Sequence, residues 1–108
     1  MQTETKGHSI SLEVEDSSLK VMGVLNFSNV VSVWQQGLPL IQNFENNIKV
    51  DLKGLLASDS SGLALFTAWV RAAREKNKAI VFINMPSFMQ DVSKLCGLEG
   101  ILPIVWEN

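Results

Sequence analysis

The chain has 108 residues, 46% of them hydrophobic and 19% charged, with a formal net charge of -2. That length suits one domain spanning 1–108 with a modest core, and the balance excludes disorder, a nucleic-acid footprint and a polybasic membrane anchor. A single cysteine allows no internal disulfide and no cysteine metal cluster.

A reducing cytosol fits that cysteine usage. The N-terminus, MQTETKGHSISLEVEDSS, is polar and lacks the apolar run of a signal peptide, so residues 1–8 are expected to be flexible. No segment reaches the ~20 apolar residues of a membrane-crossing helix. Direct membrane insertion is therefore not expected, and work at a membrane requires a partner.

From Ser9 to Val14, Ile10, Leu12 and Val14 alternate with polar residues, the period of a half-buried strand. Asp16-Ser17-Ser18 reads as a turn, and Leu19 to Leu25 resumes the alternation, giving a hairpin with Gly23 as a bulge or close approach. Asn26 to Asn29 offers capping side chains ahead of Val30, Val33 and Trp34 at helical spacing. Gly37 and Pro39 predict a bend or restart before Leu40-Ile41. Ile48 to Leu52 reads as a central strand, followed by a loop to Asp59-Ser60-Ser61-Gly62.

Gly62 to Lys76 carries the clearest helical pattern, with Leu63, Phe66, Val70 and Ala73 as its buried stripe and Trp69 on the flank. Arg71, Arg74, Glu75 and Lys76 crowd its last turn, where cations suit the helix dipole. Ala79 to Ile83 is a second buried strand. Ser87 can open a helix whose inner face is Phe88, Val92, Leu95 and Cys96, with Gly97 as its stop. Ile101 to Trp106 is extended, because Leu102 precedes Pro103. Strands alternating with helices after an opening hairpin predict a mixed, mostly parallel α/β sheet.

Few groups carry chemistry. His8 is the single histidine and stands near the terminus, Cys96 lies on an apolar helical face, and no ligand pair has metal spacing. Asp-Ser-Ser-Gly fits neither the phosphate-loop pattern nor the nucleophile elbow. Without an adjacent base, hydrolysis at Ser60 is improbable. Ser60 or Ser61 as a helix cap, worth ~1 kcal/mol, competes with Ser60 as a partner contact or a phosphorylation site. Phosphate would gain from the helix dipole and be repelled by Asp59, so physics alone does not choose. Ala64, Ala68 and Ala72 form an i, i+4, i+8 row, either a docking face for a close neighbour or simply strong helix formers. Trp34 and Trp69 read as core or core-edge aromatics.

Val50-Asp51-Leu52 followed by Asp59-Ser60-Ser61-Gly62-Leu63-Ala64-Leu65 resembles the signature of STAS domains, the anti-sigma-factor-antagonist domains. The helix ending in basic residues, the strand Ile80 to Ile83, the helix from Ser87 and Leu95-Cys96-Gly97-Leu98 follow in order, so the resemblance spans nearly the whole chain. Gly62-Leu63-Ala64-Leu65 with its Ala- and Arg-containing helix, Trp34 and Leu102-Pro103 is most similar to MlaB-type subunits of the Mla phospholipid ABC transporter. The resemblance implies a STAS fold with a four- or five-stranded sheet, an N-terminal hairpin and packed helices. It implies no enzymatic activity and no cofactor. The subunit would be cytoplasmic, held at the inner membrane by binding the transporter's ATPase subunit and, indirectly, its permease, and would support outer-membrane lipid asymmetry. Asp59, Ser60, Ser61 and Gly62 would then form the contact with Ala64, Ala68 and Ala72. Many MlaB-type chains have threonine-alanine where Ser60-Ser61 stands here. That departure keeps open an anti-sigma-factor antagonist phosphorylated at Ser60 by an anti-sigma kinase. A module binding a nucleotide or lipid is a third reading, with no pocket residues in its support.

Overall fold

The computed structural model describes residues 10–16, 18–44, 47–95, 97 and 103–105. Expectations for residues 1–8, His8, Cys96, Leu98, Leu102 and Trp106 fall outside them. The hairpin β1 (Ile10–Glu15) and β2 (Ser18–Leu25) pairs antiparallel, with Leu12 opposite Val21 and Glu13 opposite Lys20. The remaining elements are α1 (Val30–Asn43), β3 (Ile48–Asp51), β4 (Leu55–Ser58), α2 (Ser61–Glu75), β5 (Ile80–Ile83), α3 (Ser87–Leu95) and β6 (Ile104–Val105).

The sheet runs β1-β2-β3-β5-β6, parallel from β2 onward, and β4 also pairs with β2. β3 and β4 lie in tandem along one edge of β2, so six segments occupy five lanes of a STAS-like sheet. The sequence pattern reads Leu55–Ser58 as loop; the structure makes it a strand. Lys53 and Gly54 turn the chain between the two segments, and the ladder slips register at Gly23/Val24, the bulge expected there. The tail joins the sheet through Phe82 opposite Ile104.

Alternation decides which face is covered. Leu19, Val21 and Leu25 of β2, Ile48 and Val50 of β3, and Ile80 and Phe82 of β5 are buried, while Lys20, Lys49 and Asp51 face away. On the far face Lys20 pairs with Glu15 at 2.5 Å. Phe66 carries α2 onto the sheet, its ring centroid 5.1 Å from that of Phe82 and 6.0 Å from that of Trp69. The expected stripe of α2 is all core: Leu63, Phe66, Val70 and Ala73, with Trp69 fully buried beside them.

Two helices depart from their expected form. α1 runs unbroken through Gly37 and Pro39, because Pro39 lies on its exposed side, where the carbonyl the proline leaves unpaired is open to water. Gly37 faces inward, and a Cβ there would stand 2.4 Å from Trp69 Cζ2. Lys78 Nζ donates to the Gln42 carbonyl at 2.5 Å, closing the C-terminal end of α1 with a cation. In α3 the inner face is Met89 and Ser93, with Val92 packed alongside; Phe88 is half exposed and Leu95 is 87% exposed. The helix enters directly from buried Met85, and the row 85-89-93 continues that contact at four-residue steps, rotating Phe88 and Leu95 outward.

A glycine-to-alanine change inside a helix ordinarily stabilises by up to about 1 kcal/mol. Gly37→Ala is expected to do the reverse, destabilising by about 1–3 kcal/mol because the buried indole has nowhere to move. Urea denaturation of the two proteins checks the sign; a more stable variant contradicts this packing.

Candidate functional site

Both α1 and α2 follow strands that run parallel, so both begin at the same end of the sheet. There the loop Asn26–Asn29 meets the loop Asp59-Ser60. Asn26 closes the first of these loops upon itself. Its Oδ1 accepts from the amides of Ser28 and Asn29 at 2.9 and 3.1 Å, and its own amide donates to Asn29 Oδ1 at 3.0 Å. The Asn29 side-chain amide donates to the Val24 carbonyl at 2.8 Å, anchoring the loop to β2.

The second loop is organised by Asp59 rather than by a serine. Ser60 occupies the cap position of α2 but has φ -63° and ψ -17°, and makes no side-chain cap bond. With helical angles its hydroxyl cannot reach back to the first-turn amides, as a capping side chain in extended backbone does. Asp59 Oδ1 instead accepts from the Ser61 amide at 2.9 Å and from the Ser61 hydroxyl. Asp59 Oδ2 accepts from the Phe27 amide at 3.2 Å, and the Asp59 amide donates to the Leu25 carbonyl. Burial pushes the Asp59 carboxyl up, but the Ser61 hydroxyl and the Ser61 and Phe27 amides outweigh it and hold the group below the usual carboxylate range.

The amides of the first turn are therefore spoken for. Gly62 donates to the Asp59 carbonyl, and Leu63 and Ala64 donate to the Ser60 carbonyl. The open amides expected there as a phosphate cradle are absent from Ser61 through Ala64. Among the described residues the Ser60 hydroxyl has no hydrogen-bond partner, and the residue is exposed.

The expected contact set divides on burial. Asp59, Ser60 and Ala64 are exposed and Ala68 is half-buried, whereas Ser61, Gly62 and Ala72 are buried. The alanine row twists inward as α2 proceeds, and its third member, Ala72, joins the core. A Cβ on Gly62 would lie 2.1 Å from Ser58 Oγ, so a larger residue would have to turn that hydroxyl away from the Asp59 carbonyl.

What the sequence reading missed is the opposite wall. Val30, Val31 and Trp34 of α1 face Ala64, Leu65 and Ala68 of α2 across an open groove of about 190 Å³. Val31 is 59% exposed and Trp34 39%, and Phe27, in the loop that leads into α1, is 72% exposed. The available signal was charge: neither Val30–Asn43 nor Ser61–Val70 contains an Asp, Glu, Lys or Arg. Depletion of charge with an exposed aromatic marks the centre of protein interfaces. Among the described residues no cluster of His, Cys, Asp or Glu could hold a metal ion, and no helix is long and apolar enough to cross a membrane.

The family described as "Mlab, STAS domain" matches residues 8–104. The chain belongs to this STAS family. Its fold is similar to a chain of the Acinetobacter MlaFEDB complex in two ATP-bound conformations. One match has 30% identity, covers 83% of this chain and 95% of that one, and has a TM-score of 0.73. The other has 28% identity, covers 88% and 100%, and has a TM-score of 0.76. The phosphorylated Bacillus cell-fate determinant SpoIIAA shares the fold at 21% identity, covering 92% of this chain and 93% of that one, with a TM-score of 0.64. No curated protein matches the chain. The STAS signature thus falls at the meeting of the two helix-opening loops.

Because the folded Asp59 carboxyl titrates below its ordinary range, its contribution to stability is complete above about pH 4 and is lost as pH falls through the folded value. Asp59→Asn is expected to be less stable than the wild type at neutral pH, with the gap closing in acid. Thermal melts from about pH 7 down to about pH 3 check this, and a constant gap contradicts it.

Proposed function

We propose that this chain is a non-catalytic STAS subunit that binds and supports the ATPase subunit of an Mla-type phospholipid ABC transporter. Its place is cytoplasmic, peripheral to the inner membrane through that complex, and the outcome it serves is outer-membrane lipid asymmetry. The observation that carries the reading is the likeness, at 28–30% identity, to a chain of MlaFEDB that is covered over 95–100% of its length. The uncharged groove between α1 and α2, with Ser60 on its rim, supports a protein partner over a phosphate or nucleic-acid ligand. In this reading Trp34 is the aromatic anchor, and Ala64 and Ala68 let the partner's backbone approach α2.

Co-purification with the Mla-type ATPase subunit of the same organism tests it. Ser60→Arg and Ala64→Arg are each expected to weaken the complex at least tenfold, about 1.4 kcal/mol, and to lower ATP turnover by the assembled complex. Unchanged affinity in both variants would place the interface elsewhere.

A second reading rests on the Ser60 hydroxyl, which is exposed and without a partner among the described residues. It makes the chain an anti-sigma-factor antagonist switched by an anti-sigma kinase. In that case intact mass after incubation with the cognate kinase and ATP shows one added phosphoryl group, absent in Ser60→Ala. No mass change with an active kinase sinks this reading.

A further inference from the structure

The Asp59 carboxylate does more than a helix cap requires. A cap accepts from the first turn of its own helix, which the bond to Ser61 already does. Its other oxygen reaches across 32 residues of sequence to the Phe27 amide, in the lead-in to α1. That amide completes a closed account. The amides of Asn26, Ser28 and Asn29 are taken by the Asn26 and Asn29 side-chain oxygens, and that of Val30 by the Asn26 carbonyl. Of the backbone amides from Asn26 to Val30, that of Phe27 is the one that donates outside the turn, and its acceptor is Asp59.

The two residues joined this way lead directly into the two walls of the groove. Phe27 precedes Val30, Val31 and Trp34; Ser61 precedes Ala64, Leu65 and Ala68. Deeper in the structure the helices are spaced by Trp69 against Gly37, a contact well inside both helices. At the mouth the carboxylate is the side-chain tie between the two loops among the described residues, while the Asp59 amide, bonded to Leu25, ties its own loop to β2.

We propose that Asp59 is a positioning residue: its carboxylate fixes the α1 lead-in against the first turn of α2 and so holds the groove open at its docking width, without itself contacting the partner. The docking half of this statement rests on the function proposed above; the tie between the helices does not. Both oxygens accept hydrogen bonds from the chain itself, which sets Asp59 apart from its neighbour Ser60, whose hydroxyl has no partner among the described residues. An asparagine keeps one carbonyl acceptor for Ser61 but turns an N–H₂ toward the Phe27 amide, donor against donor.

Four proteins decide the matter: wild type, Asp59→Asn, and each of these combined with Trp34→Ala. In the isolated chain, amide hydrogen exchange is expected to be at least tenfold faster at Phe27 in Asp59→Asn, with Ser61 much less affected and the backbone ladder of Leu25 and Asp59 retained. Against the purified Mla-type ATPase subunit, Asp59→Asn is expected to weaken binding about tenfold. Trp34→Ala should then cost about tenfold in the wild type but less than about twofold in the Asp59→Asn background, because the wall carrying Trp34 is already displaced. Additive losses would mean that Asp59 touches the partner directly, and would overturn the positioning role. Unchanged Phe27 exchange would overturn the tie itself. If the wild type binds no ATPase subunit, the transporter reading fails, while the Phe27 exchange and the backbone chemical shifts of α1 still decide whether the carboxylate sets the groove. Unmoved α1 shifts in Asp59→Asn would then count against it.

Discussion

The indole of Trp69 lies in a notch that only a glycine at position 37 can provide, and the placement of α1 follows from that contact. Phe66, one turn earlier on α2, packs at a tilt against Phe82 of the sheet, so an aromatic row runs from β5 through α2 to α1. The arrangement is not optimal for polar groups. Trp69 is fully buried, and its indole N–H has no partner among the described residues, which costs about 1–3 kcal/mol relative to a satisfied donor. The ring is held by shape and apolar area, an aromatic burying roughly 150–250 Å². That contact lies well inside both helices, and nearer their opening turns Val30, Val31 and Trp34 face Ala64, Leu65 and Ala68 across the apolar groove.

Charge is arranged around that groove rather than in it. Arg71, Arg74 and Glu75 occupy the far end of α2, Lys78 closes the end of α1, and Lys20 and Glu15 pair on the hairpin. The carboxylate of Asp59, just ahead of α2, is engaged by the Ser61 and Phe27 donors. A surface built this way gains little from long-range steering and much from apolar contact once a partner is docked. The same internal bonding removes the anion-binding character that a helix opening ordinarily has, since the amides of Ser61 to Ala64 already have acceptors.

How much of this the sequence disclosed depended on whether one period dominated each segment. Leu63, Phe66, Val70 and Ala73 followed the helical period, and their burial matched it. β2 was expected from alternation and β3 and β5 from short apolar runs, and all three lie in those segments. Leu55–Ser58 escaped because four residues after a Lys-Gly turn, two of them exposed, show no period; only pairing to β2 makes them a strand. Pro39 suggested an interruption because a sequence does not say which side of the helix faces water. The phase of α3 was misjudged because Ser93, a polar residue, takes an inward position that Leu95 was expected to share with Phe88. At the site, the loop was legible and its internal division was not. Which of two adjacent residues caps a helix is decided by backbone angles, and the carboxylate's second bond spans a distance in sequence that no local pattern encodes.

That division has a consequence for both functional readings. A serine that capped α2 would be pinned by its own bond, and docking or modification would have to break it. With Asp59 as the cap, Ser60 stands at the rim with its hydroxyl uncommitted, and its use by a partner or a kinase leaves the helix opening intact. Phosphorylation at such a place would find the amides of Ser61 to Ala64 already bonded and a carboxylate next in the chain. Its effect would be repulsion and lost apolar contact rather than a new ordered structure. A charge added at Ser60 would therefore stand beside Asp59 at the opening of a helix whose first ten residues carry no Asp, Glu, Lys or Arg.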